Sequence, residues 1–101
     1  MISINDIIMM LEKVPKNMVI DYINRNKNLT DILRKYPSVL DMLKSEAKKV
    51  NTQLDEEKIY SEIMKEMRTR RPDLYPLFTG DPGKGWLKRQ IREIGSLLGV
   101  I

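Results

Sequence analysis

Residues 55–71, DEEKIYSEIMKEMRTRR, describe one helix with both of its ends marked. Asp55 is the residue type that caps a helix N-terminus. Glu56 and Glu57 then fall in the first turn, and Arg68, Arg70 and Arg71 in the last, so that charge opposes the macrodipole at each end. Between them Ile59, Tyr60, Ile63, Met64 and Met67 return at helical intervals and make one buried stripe.

The same punctuation recurs on either side. Upstream, Ser38 opens a longer helix whose Leu40, Leu43, Ala47, Val50 and Leu54 form a narrow seam of helical spacing. Before it, Thr30 or Asp31 caps a short helix carrying Ile32, Leu33 and Tyr36, which Pro37 ends. Pro15 suits the first turn of a helix running to about Asn26. Met18, Val19, Ile20, Tyr22 and Ile23 cover more than half of its circumference, so it is expected to be the most enclosed element. In the first segment Ile4, Ile7, Ile8, Met10, Leu11 and Val14 share an arc that excludes Met9.

Downstream, Pro72 and Pro76 confine RPDLYPLF to an extended or single-turn connection, and Thr79-Gly80 makes a turn. Asp81-Pro82 reads as an N-cap followed by proline at the first helical position. The last helix then runs to about Leu98 with Leu87, Ile91, Ile94 and Leu98 as its core stripe and Gly99 as its terminator. No alternating run of strand type occurs anywhere. The expectation is an all-α protein, residues 1–101 forming a single helical domain built as a compact bundle of five or six helices without a sheet.

Composition narrows the chemistry. The chain has no cysteine and no histidine, which removes disulfides, thiol nucleophiles, zinc knuckles and the usual general base. Asp55, Glu56 and Glu57 are accounted for by capping, and Asp73 and Asp81 lack calcium-loop spacing. GDPGKG lacks the ending of a phosphate-binding P-loop and follows no strand. The reading is therefore non-enzymatic, with no cofactor and no metal. The N-terminus lacks the charge pattern of an export signal, and no apolar run is long enough to span a bilayer, so no membrane association and a cytoplasmic location are expected.

Charge is distributed unevenly. Residues 1–64 carry ten basic and ten acidic side chains, whereas residues 65–101 carry eight basic and four acidic, so the C-terminal part supplies the whole net charge of +4. With Leu87 at 0° on the last helix, Lys84, Lys88, Arg92 and Arg89 fall at about 60°, 100°, 140° and 200°, and Gly85, Gly95, Ser96 and Gly99 share that arc. Glycines inside a helix call for a compensating contact, which either a phosphate backbone or a neighbouring helix would supply. Arg68, Arg70 and Arg71 exceed what capping requires, and arginine suits bidentate phosphate contact. Tyr75, Phe78 and Trp86 either offer bases a stacking platform or close the end of the bundle.

Two functions from different classes follow. The first is a small module that binds nucleic acid with low sequence specificity, with Arg68, Arg70, Arg71, Lys84, Lys88, Arg89 and Arg92 as phosphate contacts and Tyr75, Phe78 and Trp86 as base-stacking candidates. A helix-turn-helix over residues 29–50 is a weaker form of the same idea, because the turn is short and the second helix exposes Asp41 and Glu46 beside its lysines. The second is a protein-interaction or homodimerising adaptor without a nucleic-acid role, motivated by Ile2, Met9 and the apolar run Leu97, Leu98, Val100, Ile101.

Overall fold

A computed structural model of the chain describes residues 9–49 and 55–99, with side chains from Leu11 to Ser45 and from Asp55 to Gly99. After a 3-10 turn at Met9–Lys13 come six α-helices: α1 (Lys16–Asn24), α2 (Thr30–Leu33), α3 (Pro37–Lys49), α4 (Glu56–Arg70), α5 (Tyr75–Phe78) and α6 (Gly83–Leu98). The fold is an all-α bundle, and no strand occurs among the described residues. Expectations placed on Ile2, Ile4, Ile7, Ile8, Val50, Leu54, Val100 and Ile101, and on the side chains of Met9, Met10 and Ala47, lie outside the described residues.

Local signals place the element ends well. Asp55 Oδ1 accepts from Lys58 N at 3.2 Å and caps α4. The Pro-bounded connection holds one helical turn, α5. Gly99 ends α6 in the left-handed region, with φ of 75°. Two starts differ from the reading. Pro37 begins α3 instead of only stopping the helix before it, as suits a residue with fixed φ and no N–H to lose in a first turn. At α6 the helix opens at Gly83, although Asp81 Oδ1 still accepts from Gly85 N at 3.0 Å and so performs its expected task from outside the helix.

The core forms around α6, which packs against α2, α3, α4 and α5. Leu87, Ile91, Ile94 and Leu98 are buried as their spacing predicts, and Trp86, Gln90 and Gly95 are buried beside them. From α4, Ile63, Met64 and Met67 meet this face, with Ile59 and Tyr60 half-buried at its edge. The expectation that α1 is the most enclosed element is corrected: it buries Val19 and Ile23, while Met18 is exposed. Met18 lies on a side of α1 left open to solvent, where an apolar side chain gains no burial. Tyr36, expected to be carried by the short helix, lies beyond it because α2 ends at Leu33, and its side chain is exposed.

Gly83 shows why the start of α6 has no side chain. A Cβ built there would stand 1.7 Å from the Leu77 carbonyl oxygen, so α5 and α6 can approach this closely only with glycine between them.

Candidate nucleic-acid interface

Most of the cations expected to meet phosphate are engaged within the molecule. Arg71 carries the largest set of contacts. Its Nη1 donates to the carbonyls of Leu11 (3.0 Å), Glu12 (2.9 Å) and Val14 (2.8 Å). Its Nε and Nη2 fork onto the Asp73 carboxylate at 3.0 and 2.9 Å. The guanidinium holds the Asp73 carboxyl below its usual range, chiefly through that hydrogen bond, and the same bond raises Arg71 above its ordinary value. Arg71 is thus a staple between the N-terminal segment and the end of α4, which corrects its assignment as a phosphate contact.

Arg70 pairs with Glu66 and Glu12, each at 3.3 Å. Lys88 pairs with Glu57 at 2.5 Å, and Arg92 pairs with Glu56, so both tie α6 to the first turn of α4. Glu57 raises the Lys88 ammonium above its ordinary value through their hydrogen bond. A cation already facing a carboxylate presents little net charge to a distant polyanion. Arg89, expected as a phosphate contact, donates to Asn28 Oδ1 at 3.2 Å and to Asn26 Oδ1. Its Nη2 is buried with no hydrogen-bond partner.

The expected stacking platform is also corrected in two of its three members. Phe78 is 0% and Trp86 2% exposed. Their rings stack on each other in the core, with centroids 6.0 Å apart, and Trp86 Nε1 donates to the Lys27 carbonyl at 2.7 Å. Neither face is open to a base. The small-residue face of α6 is partly closed too, because Gly95 is buried. That outcome favours a helix-packing role for the glycine over a phosphate role.

What remains open lies on the other side of α4. Ser61, Lys65 and Arg68 follow one another at helical spacing along its exposed side, next to the buried Met64, over a rise of roughly 10 Å. With Tyr60 from α4, and Tyr75 and Thr79 from α5 and its end, they line a groove of about 390 Å³. Among the described residues no carboxylate lines it. Neither Lys65 nor Arg68 pairs with an acid among the described residues, and the same holds for Lys84.

Tyr60 holds the groove together. Its hydroxyl donates to the Phe78 carbonyl at 2.6 Å and fixes the end of α5 against α4. Lys84 Nζ and Lys88 Nζ stand 5.7 and 5.2 Å from its ring centroid; Lys88 comes with its partner Glu57, so Lys84 is the α6 cation there that pairs with no acid among the described residues. Burial raises the Tyr60 hydroxyl above its ordinary value despite Lys88 nearby, which keeps it a neutral donor at physiological pH. Thr79 Oγ1 donates to the Pro76 carbonyl at 2.9 Å, leaving that oxygen as an acceptor on the groove side.

Of the candidate residues, the structure brings Arg68 and Tyr75 together in this groove, with Lys84 beside it. Lys65, Tyr60, Ser61 and Thr79 were not singled out by sequence. Lys65 and Ser61 carried a usable signal, since both share a helical face with Arg68. The joining of Thr79 and Tyr75 to that face depends on how α5 docks.

Among the described residues no three acidic side chains gather as a metal site, and no described helix is long and apolar enough to cross a membrane. Comparison with protein-family models, curated proteins and solved structures gives no match.

Proposed function

We propose that this protein is a small non-enzymatic module that binds nucleic acid with low sequence specificity, through the groove between α4 and α5 rather than through the basic face of α6. The observation that carries this reading is the groove itself: Lys65 and Arg68 beside two hydroxyls and the Tyr75 side chain, with no carboxylate among the described residues of its lining. Phosphate contacts give affinity without reading sequence, and an aromatic wall accepts any base. Lys88 and Arg92 act mainly as ties between α6 and α4. The test compares two charge reversals in a fluorescence-anisotropy titration with oligonucleotides at low salt. Lys65→Glu with Arg68→Glu abolishes binding, whereas Lys88→Glu with Arg92→Glu weakens it far less. The opposite ranking rejects the groove.

A second reading has its own observation. Tyr36, just ahead of α3, and Val39 and Met42 on its outward side are 59%, 41% and 51% exposed, at intervals of three. Such a strip suits a protein-interaction or homo-oligomerising adaptor. It does not suit the reading helix of a helix-turn-helix, which would offer polar side chains to base edges. Light scattering with Val39→Glu and Met42→Glu distinguishes this reading: a mass above the monomer that these changes reduce favours it.

A further inference from the structure

Resting on the nucleic-acid reading, we propose that the ligand is single-stranded and that the groove seats one nucleotide, with the base against Tyr75 and the flanking phosphates on Lys65 and Arg68. Shape argues for this first. A protein that reads a duplex places a convex helix or ribbon into a groove about 12 Å wide. Here Lys65 and Arg68, which pair with no acid among the described residues, line a concavity of about 390 Å³. That volume falls near the lower end of the roughly 300–1,000 Å³ typical of small-molecule sites. A group of nucleotide size enters it, but only when the strand is unpaired.

The convex surfaces argue the same way. The outward side of α3 bears Val39 and Met42, with Tyr36 just ahead of the helix. On α6, Lys88 and Arg92 are tied to Glu57 and Glu56. Among the described side chains, neither helix offers a duplex the open basic face it would need.

The chemistry of the lining then assigns parts. Lys65 and Arg68 stand one helical turn apart on α4, as a pair of cations along a strand would. Thr79 Oγ1 has its proton directed to Pro76 and accepts from a sugar hydroxyl or an exocyclic amine. Ser61 supplies a hydroxyl from the opposite wall, and Tyr75 the aromatic surface. Tyr60 is a positioning residue, since its hydroxyl is spent on the Phe78 carbonyl.

The experiment titrates the full chain with a fluorescent single-stranded octanucleotide, the same sequence as a duplex, and inorganic polyphosphate as competitor. The single strand is expected to bind at least about ten-fold tighter than the duplex, and Tyr75→Ala to weaken it about ten-fold. Lys65→Glu with Arg68→Glu, both at exposed positions, serves as the control if Tyr75→Ala does not fold, and is expected to remove binding. A duplex that binds as tightly as the single strand overturns the single-strand inference while leaving the nucleic-acid reading in place. Polyphosphate competing as well as the oligonucleotide overturns the base contact. Full binding by the double reversal overturns the groove as the seat. Absence of any nucleic-acid binding at low salt overturns both this inference and the reading beneath it.

Discussion

Arg71 donates from one nitrogen to three carbonyls of residues 11–14 and from two others to Asp73, leaving its side chain only 16% exposed. Removing it leaves those carbonyls short of a charged donor, so Arg71→Ala is expected to lower unfolding free energy by about 1.5–3 kcal/mol in urea. Arg71→Lys should recover only part, because an ammonium cannot fork onto a carboxylate while reaching the carbonyls. The pair also sets a pH dependence. Asp73 has a folded value below the ordinary one, so the pair stabilises the fold above about pH 4, and that contribution is lost as pH falls through the lower folded value. Asp73→Asn should therefore differ from the parent in melting temperature at pH 6 and converge with it near pH 2. Gly83 makes the opposite kind of demand, for the absence of atoms. Gly83→Ala forces α5 and α6 apart and is expected to cost about 1–3 kcal/mol or more. Gly80→Ala, whose Cβ would meet nothing within 4 Å, should be neutral or gain about 0.4–1 kcal/mol; equal melting temperatures for the two variants would refute the close-approach account.

At the scale of elements, α6 organises the molecule because polar groups as well as apolar ones are buried along it. Gln90 is 0% exposed, and its Oε1 accepts from the Leu29 backbone N–H at 2.7 Å, just ahead of α2. Its Nε2 donates to Asn28 Oδ1 and to the Trp86 carbonyl, both at 3.3 Å. Together with the Trp86 bond to Lys27, these contacts moor the 27–29 connection to the helix. Gln90→Leu retains volume but strands the Leu29 N–H, so chemical denaturation should show a loss of about 1–3 kcal/mol. Amide exchange at Leu29 and in α2 should accelerate more than in α4; unchanged exchange there would refute the mooring role. In sequence Gln90 is a polar residue between Leu87 and Ile91 of the core stripe, with nothing local to give it a buried role. Only the docking of the 27–29 connection made a buried glutamine useful.

For the whole molecule, the relevant electrostatic quantity is how much charge remains available, not how much the chain contains. Seven C-terminal cations would give a steep salt dependence, but Arg70, Arg71, Lys88 and Arg92 face carboxylates and Arg89 faces asparagines. Two or three phosphate contacts from Lys65, Arg68 and Lys84 predict a log-log salt slope of about −1.4 to −2.1 on a single strand. A slope near −5 would mean that the internal pairs open on binding, which surface pairs worth about 0–1 kcal/mol permit.

The sequence by itself determined the all-α class, the Asp55 and Gly99 helix ends and the core stripes of α4 and α6, and it narrowed the Pro-bounded connection to an extended segment or a single turn. Each of these depends on interactions among residues a few positions apart, where periodicity and capping operate. The tertiary structure decided which charges are available. Lys88 meets Glu57 across 31 positions, Arg92 meets Glu56 across 36, and Arg71 reaches carbonyls 57 to 60 positions away. It also turned Phe78 and Trp86 inward and brought Tyr75 and Thr79 to the face of α4 that bears Lys65 and Arg68. A charge run in sequence reports composition, whereas its neutralisation depends on which helix faces dock, and docking is settled by burial of the whole core.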